Sequence, residues 1–163
     1  MCGSWFFSNF ATRQYCCEIR PDKRKIMDIE YVMKTLRVKK GLSETIGMEF
    51  FSTPEPDTCM AKMKVDERNR QPFGFLSGGA SLALAENLAG VGSQALCPDK
   101  RCVGINVSGN HVQAVREGNT VTARGRLQFK GNTLHVWHIE ITNENGDLIS
   151  TVQVTNYILN PAK

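Results

Sequence analysis

From residue 47 onward the pattern of apolar and polar residues is mostly that of strands, and in places the two alternate as in a strand with one buried and one solvated face. The clearest case is LHVWHIEI, where Trp137, Ile139 and Ile141 fall on one face by a period of two. The polar breaks REGN, KGN and NENGD have the composition of turns. The pattern predicts six strands, at residues 47–53, 57–65, 101–114, 119–130, 133–142 and 148–159.

Two segments follow a helical period instead. In MDIEYVMKTLRVKKG, which starts at Met27, apolar residues recur three or four positions apart and Gly41 ends the pattern. The second segment, at about residues 78–96, is nearly all apolar and predicts a buried helix. One apolar helix and six strands must cover each other, so we expect an α+β domain whose antiparallel sheet wraps around one long helix.

Residues 1–26 differ from the rest of the chain because they are basic, rich in cysteine and without periodicity. We expect them to be an N-terminal extension, non-native or disordered, followed by a single domain at residues 27–163. A chain of 163 residues that is 41% hydrophobic is long enough to form one such core.

The formal net charge of +4 does not indicate a nucleic-acid partner. Residues 1–27 carry five basic and two acidic side chains, so the other 136 residues, with 15 basic and 14 acidic ones, are close to neutral. No apolar run reaches the roughly 18 residues that span a bilayer, and the first residues do not have the pattern of a secretory signal. We expect a cytoplasmic protein that binds neither nucleic acid nor membrane.

The six cysteines and three histidines do not form a metal-binding pattern. No two cysteines have the C-x-x-C spacing of a zinc or redox site, and the histidines do not complete one. Scattered thiols are typical of a reducing compartment, which agrees with a cytoplasmic location. We expect no metal.

The segment QPFGFLSGGASLALAENLAG, residues 71–90, leads from a turn into the apolar helix. It places one carboxylate, Glu86, among apolar residues, and four glycines (Gly78, Gly79, Gly90 and Gly92) lie in this helix. Each glycine costs a helix interior about 1 kcal/mol relative to alanine. In one interpretation, close packing requires the glycines, and Glu86 is a buried acid with hydrogen-bond partners. In the other, the segment serves a function, because residues that are unfavourable in a helix tend to mark a site when several occur together.

The functional interpretation uses both ends of the helix. The amides around Gly78 and Gly79 open it with free N–H groups, and glycine lets a substrate carbonyl approach them closely, as in an oxyanion hole. Glu86 could then supply a nucleophile or a general base. Because Glu86 lies eight residues after Gly78, about 12 Å along one helix, the two can meet at one carbonyl carbon only if they come from different subunits of a dimer.

These residues resemble the signature of hotdog-fold acyl-CoA thioesterases, in the branch of the phenylacetate-pathway, 1,4-dihydroxy-2-naphthoyl-CoA and 4-hydroxybenzoyl-CoA enzymes. The resemblance covers roughly residues 42–160, through VGINVSGNHVQAVREG and LHVWHIEITNENGDLIS. It implies that Glu86 attacks the thioester or activates water, that the Gly78 amide polarises the carbonyl, and that Gln71 lies beside the carbonyl or the water. Ser77 replaces the histidine that usually precedes the oxyanion glycine and helps to orient the thioester.

The resemblance also implies a set of substrate-binding residues, for some of which a structural role is an equal alternative. Gly90 stands where relatives often have a small hydroxyl residue, and His111 is equally well explained as a hydrogen-bonding residue at a strand end. Charged residues near turns are usually just solvated. The positions expected to contact substrate are Gly79, Gly90, Asn110, His111, Arg116, Lys130, Gly131, Asn132 and Thr133.

The function implied by the resemblance is hydrolysis of an aryl- or medium-chain acyl-CoA by a homotetramer built from dimers, without a metal or cofactor. Whether Glu86 acts as nucleophile or general base stays open, as does the choice between CoA and an acyl carrier protein, which present the same arm. A hotdog enoyl-CoA hydratase would need an Asp/His pair that this helix lacks. The alternative from another class is a non-catalytic acyl-CoA binder or sensor, which Ser77 favours and the retained Glu86 and Gln71 disfavour.

Overall fold

The computed structural model describes residues 26–36 and 41–159. The predicted extension at residues 1–26 lies almost wholly outside the described residues and stays a prediction. All six predicted strands and the long helix are present, whereas the first helix is shorter than its pattern indicated. The elements are α1 (Ile29–Thr35), α2 (Leu42–Thr45), β1 (Met48–Ser52), β2 (Thr58–Lys64), α3 (Gly78–Leu96), β3 (Arg101–His111), β4 (Thr120–Lys130), β5 (Leu134–Thr142) and β6 (Leu148–Leu159).

The six strands form one antiparallel sheet in the order β1-β2-β4-β5-β6-β3. Strand β3 is therefore not part of a simple meander. The 19-residue helix α3 carries the chain from β2 across the sheet, so that β3 pairs with β6 at the far edge. The pairing of β3 with β6 shifts between Gly104 and Asn106, which marks a bulge at Ile105.

Helix α3 packs on one face of the sheet, and the hydrophobic core lies between them. Trp137, Ile139 and Ile141 on β5 are all 0% exposed, as the period-two pattern predicted, and they meet Leu84 and Leu88 of α3, which are also 0% exposed. This arrangement confirms the predicted α+β class, with a sheet that wraps one central helix. The helix is not buried all round, because about half of its residues are only partly covered.

The short helix α1 closes one end of the core. The Asp28 carboxylate caps it by accepting a hydrogen bond from the Tyr31 amide at 2.8 Å, and the Ile29 amide donates to Ser52 Oγ on β1 at 2.9 Å. Ile29 is 0% exposed and Met27 3%, whereas Ile26 is 54% exposed. The packed part of the described chain thus begins at Met27.

Strand β3 leaves one edge of the sheet open. All of its residues except Cys102 and Val107 are exposed, including the apolar Val103 and Ile105. A long edge strand with exposed apolar side chains is a template for pairing with another strand. Of the helices described, none has the combination of length and apolarity needed to cross a membrane.

Candidate active site

The turn before α3 is held by hydrogen bonds from a buried asparagine. The Asn69 side-chain Nδ2 donates to the backbone carbonyls of Ile46 at 3.2 Å and Lys64 at 2.8 Å. The Asn69 backbone carbonyl accepts from the Ser77 amide at 2.9 Å. The Leu76 amide donates to the Val115 carbonyl at 2.8 Å. These bonds tie the start of α3 to three separate parts of the chain, so its first amides have a fixed position.

Helix α3 begins directly after Ser77, at Gly78. The Ser77 hydroxyl makes no capping hydrogen bond, although this residue occupies the N-cap position and its type is suited to that role. Its carbonyl accepts instead from the Ser81 amide at 3.1 Å. As the first helical residue, Gly78 has an amide without a partner inside the helix, and the positive end of the helix dipole lies there.

A cleft of about 280 Å³ opens beside this helix start. Its lining includes Gln71, Gly78 and His111, so the structure brings together three of the residues predicted from the sequence. Gln71 is held by its own turn, because its amide donates to the Phe75 carbonyl at 2.8 Å and its side chain to the Leu76 carbonyl at 3.4 Å. The cleft thus combines a helix-start amide with a polar amide side chain.

The His111 ring packs directly against Gly78. A Cβ atom placed on Gly78 would lie 2.7 Å from His111 Nε2, closer than real Cβ atoms approach such a group. The other ring nitrogen, Nδ1, is 2.9 Å from Ser150 Oγ, and Ser150 is 0% exposed. Because Gly78 has no side chain, the His111 ring can pack against the helix start, and the contact with Ser150 fixes the orientation of the ring.

Glu86 does not line this cleft. It lies two turns farther along α3, half-buried, and its Oε1 packs on Gly104 of the open edge strand β3. Within residues 26–36 and 41–159, no hydrogen bond or ion pair to its carboxylate is found. The structure therefore separates the predicted carboxylate from the predicted amide within one chain, as the helix spacing required.

The other predicted substrate-binding residues are spread over the molecule. Gly79 is exposed, and a Cβ on Gly90 would meet nothing within 4 Å. Asn110 pairs with Thr151 and is exposed on β3, and the Arg116 guanidinium lies 5.2 Å from the centre of the Phe75 ring.

The turn at residues 130–133 joins β4 to β5. Lys130 lines a groove beside the end of α3, together with Leu96. One chain therefore does not bring Lys130, Gly131, Asn132 and Thr133 to the cleft at the start of the helix.

Comparison with known proteins identifies the family. The model of the Thioesterase superfamily matches residues 73–150. A 1,4-dihydroxy-2-naphthoyl-CoA hydrolase of Listeria monocytogenes is 36% identical over 116 residues, which is 71% of this chain and 93% of that protein. The chain belongs to the Thioesterase superfamily.

Two further thioesterases agree with this membership. A 1,4-dihydroxy-2-naphthoyl-CoA hydrolase of Escherichia coli is 41% identical over 105 residues, which is 63% of this chain and 76% of that one. The crystal structure of a thioesterase of Haemophilus influenzae superposes with a TM-score of 0.76 at 31% identity, covering 86% of this chain and 96% of that chain. The predicted hotdog fold and the assignment to the thioester hydrolases are confirmed at the level of the family.

Two thiols of this thioesterase, on the buried Cys59 and the half-buried Cys102, are unsuited to nucleophilic attack. Burial raises the pKa of Cys59 to about 12 and that of Cys102 to about 11, so both are protonated at neutral pH. Burial, together with the charges of Lys130 and Lys100, lowers the pKa of His135. In the part of the chain that the structure describes, no cluster of three or more His, Cys, Asp or Glu side chains is placed to hold a metal.

Two residues contact predicted site residues of this thioesterase, although the sequence analysis did not select them. Gly104 faces the Glu86 carboxylate, and Ser150 holds His111. A glycine inside a strand is a recognised signal of a bulge or a close approach, so Gly104 could have been found. Ser150 carries no such signal, because only the pairing of β3 with β6 sets it opposite His111.

Proposed function

We propose that this protein hydrolyses an acyl-CoA thioester with an aryl or medium-chain acyl group, giving the free acid and CoA. The observation that carries the proposal is the half-buried Glu86 at the open sheet edge, which has no hydrogen bond or ion pair to a described residue. In the same chain, Gly78 at the start of α3 lines a cleft. Water supplies the oxygen and two hydrogens: the acyl–sulfur bond breaks, hydroxyl joins the acyl carbon and a proton joins the CoA sulfur.

The helix start would polarise the thioester. A carbonyl oxygen bound at the Gly78 amide gains negative charge as the carbon is attacked, and this amide and the helix dipole stabilise that charge. Gln71, in the same cleft, offers an amide group that can donate to the carbonyl or hold a water. The His111 ring, packed on Gly78, limits where the acyl group can lie.

Glu86 would supply the attacking group. Its carboxylate can attack the thioester carbon directly to form a mixed anhydride, which water then hydrolyses, or it can take a proton from an attacking water. Both routes require that no fixed partner holds the carboxylate, which agrees with its lack of hydrogen bonds and ion pairs among the described residues. The geometry supports both routes equally.

The complete site would form between two chains. Gly78 lies at His111 near one end of β3, and Glu86 lies at Gly104 near the other. If two β3 edges pair antiparallel around a two-fold axis midway between these positions, at about residues 107 and 108, then residue 104 of one copy faces residue 111 of the other. Glu86 of each copy then approaches Gly78 of its partner.

The acyl group and the assembly are further parts of the proposal. Two relatives named 1,4-dihydroxy-2-naphthoyl-CoA hydrolase favour an aryl substrate. Phe73, two residues after Gln71, is 81% exposed and offers an aromatic surface that an aryl group could contact. A cytoplasmic homotetramer built from such dimers remains our proposal for the working form.

The test is thiol release from aryl- and straight-chain acyl-CoAs by wild type, Glu86→Gln and Ser77→His. We expect turnover in wild type and a loss of at least about 100-fold in Glu86→Gln, the cost of removing an attacking or proton-accepting group. Acyl-pantetheine thioesters run in parallel report whether the nucleotide of CoA is needed. Full activity in Glu86→Gln would disprove the proposed role of this carboxylate.

A non-catalytic acyl-CoA binder is the second candidate, and Ser77 is the observation that favours it. Serine stands where the resemblance implies histidine, and its hydroxyl makes no capping hydrogen bond. If this candidate is correct, wild type binds acyl-CoA without releasing thiol, and Ser77→His gains turnover.

A further inference from the structure

Gly104 lies beneath the Glu86 carboxylate on the open edge strand. A Cβ atom placed on Gly104 would lie 2.5 Å from Glu86 Oε1 and 3.3 Å from both Glu86 Cδ and Cγ. These are its three nearest neighbours, so the space that a side chain at position 104 would fill is the space that the carboxylate occupies.

The backbone does not require glycine at this position. The residues with left-handed φ angles include four glycines, at positions 47, 74, 118 and 146, and Gly104 is not among them. Any L-residue can therefore adopt its conformation. The bulge that begins at Gly104 bends the strand, and bulges commonly re-aim groups next to active sites.

Gly109 on the same strand provides a contrast. A Cβ on Gly109 would lie 2.8 Å from the backbone carbonyl oxygen of Thr151, which cannot move without breaking the pairing of β3 with β6. A Cβ on Gly104 would instead meet the far end of a flexible side chain. Alanine at 104 should therefore displace Glu86 and spare the fold, whereas alanine at 109 should damage the sheet.

We infer that Gly104 is a positioning residue for thioester hydrolysis, because its missing side chain holds open the place from which the Glu86 carboxylate reaches the substrate. This inference rests on the proposed function of Glu86. Any side chain at position 104 swings the carboxylate off β3, and the geometry of attack is lost although the carboxylate itself remains.

The first experiment compares the kinetics of Gly104→Ala with wild type, with Gln153→Ala as the control, since Gln153 on the neighbouring strand β6 is exposed on the face of the sheet opposite to the core. We expect kcat of Gly104→Ala to fall about 100-fold, as for a displacement of about 1 Å, while KM and the melting temperature stay near the wild-type values. Gln153→Ala should keep the wild-type kcat. An unchanged kcat in Gly104→Ala, or a loss of kcat that merely follows a loss of folded protein, would overturn the inference.

A double variant separates positioning from a general effect on the strand. Aspartate at position 86 is one methylene shorter, so its carboxylate withdraws from an added Cβ at position 104. We expect Glu86→Asp and Gly104→Ala together to cost less than the product of their separate kcat losses, because residues in contact are not additive. Losses that multiply would contradict the inference.

The inference can fail independently of the proposed function. If wild type releases thiol from no acyl-CoA, the proposed function fails, and the position of the carboxylate is then decided by ¹³C NMR of labelled glutamate, with Glu86→Gln assigning the resonance. A Glu86 carboxyl resonance whose chemical shift changes in Gly104→Ala and not in Gln153→Ala supports the positioning role. A chemical shift identical in all three proteins overturns it.

Discussion

The Ser150 hydroxyl is the group on which the orientation of the His111 ring depends. Ser150 is fully buried, its Oγ is 2.9 Å from His111 Nδ1, and the opposite ring edge packs on Gly78. Removing the hydroxyl in Ser150→Ala leaves Nδ1 without this partner and frees the ring to turn in the cleft. We expect kcat/KM for the best acyl-CoA to fall about 5- to 10-fold, which corresponds to one hydrogen bond of about 1 kcal/mol.

The control for this prediction is Thr151→Ala, because the next residue of β6 points to the opposite face of the sheet. It should leave kcat/KM near the wild-type value. A Ser150→Ala enzyme with wild-type kcat/KM would mean that packing on Gly78 alone orients His111.

For single residues, the sequence predicted which side chains line the site better than it predicted which residues contact them. The start of the apolar helix predicts Gly78, the resemblance implies Gln71 and His111, and the structure brings all three to one cleft. Gly104 and Ser150 were not selected, since their importance comes from contacts between segments far apart in the chain. A single sequence carries no direct record of such contacts.

At the scale of elements, the glycines of α3 have different reasons to be there. A Cβ on Gly92 would lie 2.6 Å from Cη2 of the buried Trp137, whereas a Cβ on Gly90 would meet nothing within 4 Å in one chain. We expect Gly92→Ala to lower the free energy of unfolding by about 1–3 kcal/mol through overpacking. Gly90→Ala should raise it by up to about 1 kcal/mol through helix propensity.

Urea denaturation of both variants measures this difference. A Gly90→Ala protein less stable than wild type would contradict the prediction for one chain and would indicate that a second chain packs at Gly90. A Gly92→Ala protein with wild-type stability would mean that the Trp137 ring can shift, although its indole N–H donates to Ser93 Oγ at 2.9 Å.

The elements themselves were largely predictable, and their order in the sheet was less so. Strand-like segments separated by turn residues indicated all six strands, and alternation is clearest in β2 and β5, which have one buried face. The pairing of β3 with β6 could not be predicted from alternation, because alternation indicates which face of a strand is buried and not which strand lies beside it. The exposed edge that β3 forms is the feature on which the proposed dimer depends.

At the scale of the whole molecule, the proposed site needs groups that one chain holds apart. Gly78 packs at His111 and Glu86 packs at Gly104, at opposite ends of the exposed strand β3. An antiparallel pair of β3 strands would join the Glu86 of one copy to the Gly78 of the other. Two defective variants should then repair each other when their chains are mixed.

Glu86→Gln and Gly78→Pro are suitable partners for this mixing experiment. Proline removes the amide of residue 78 and is tolerated at the first position of a helix. Its added side chain pushes the His111 ring away, and because His111 is exposed at the end of β3, the second variant should still fold. Each variant alone should be nearly inactive. After unfolding and refolding together in equal amounts, half of the dimers are mixed, and each has one site with both native groups, so about a quarter of wild-type turnover should return.

The same mixture also tests whether the site lies within one chain. If Glu86 and Gly78 of a single chain acted together, each mixed dimer would contain only defective sites, and turnover would not exceed the mean of the two variants. Refolding wild type alone measures the yield, and mixing without unfolding measures any exchange of chains. Recovery that requires joint refolding and approaches a quarter would establish that catalysis in this thioesterase needs the edge strands of two chains to pair.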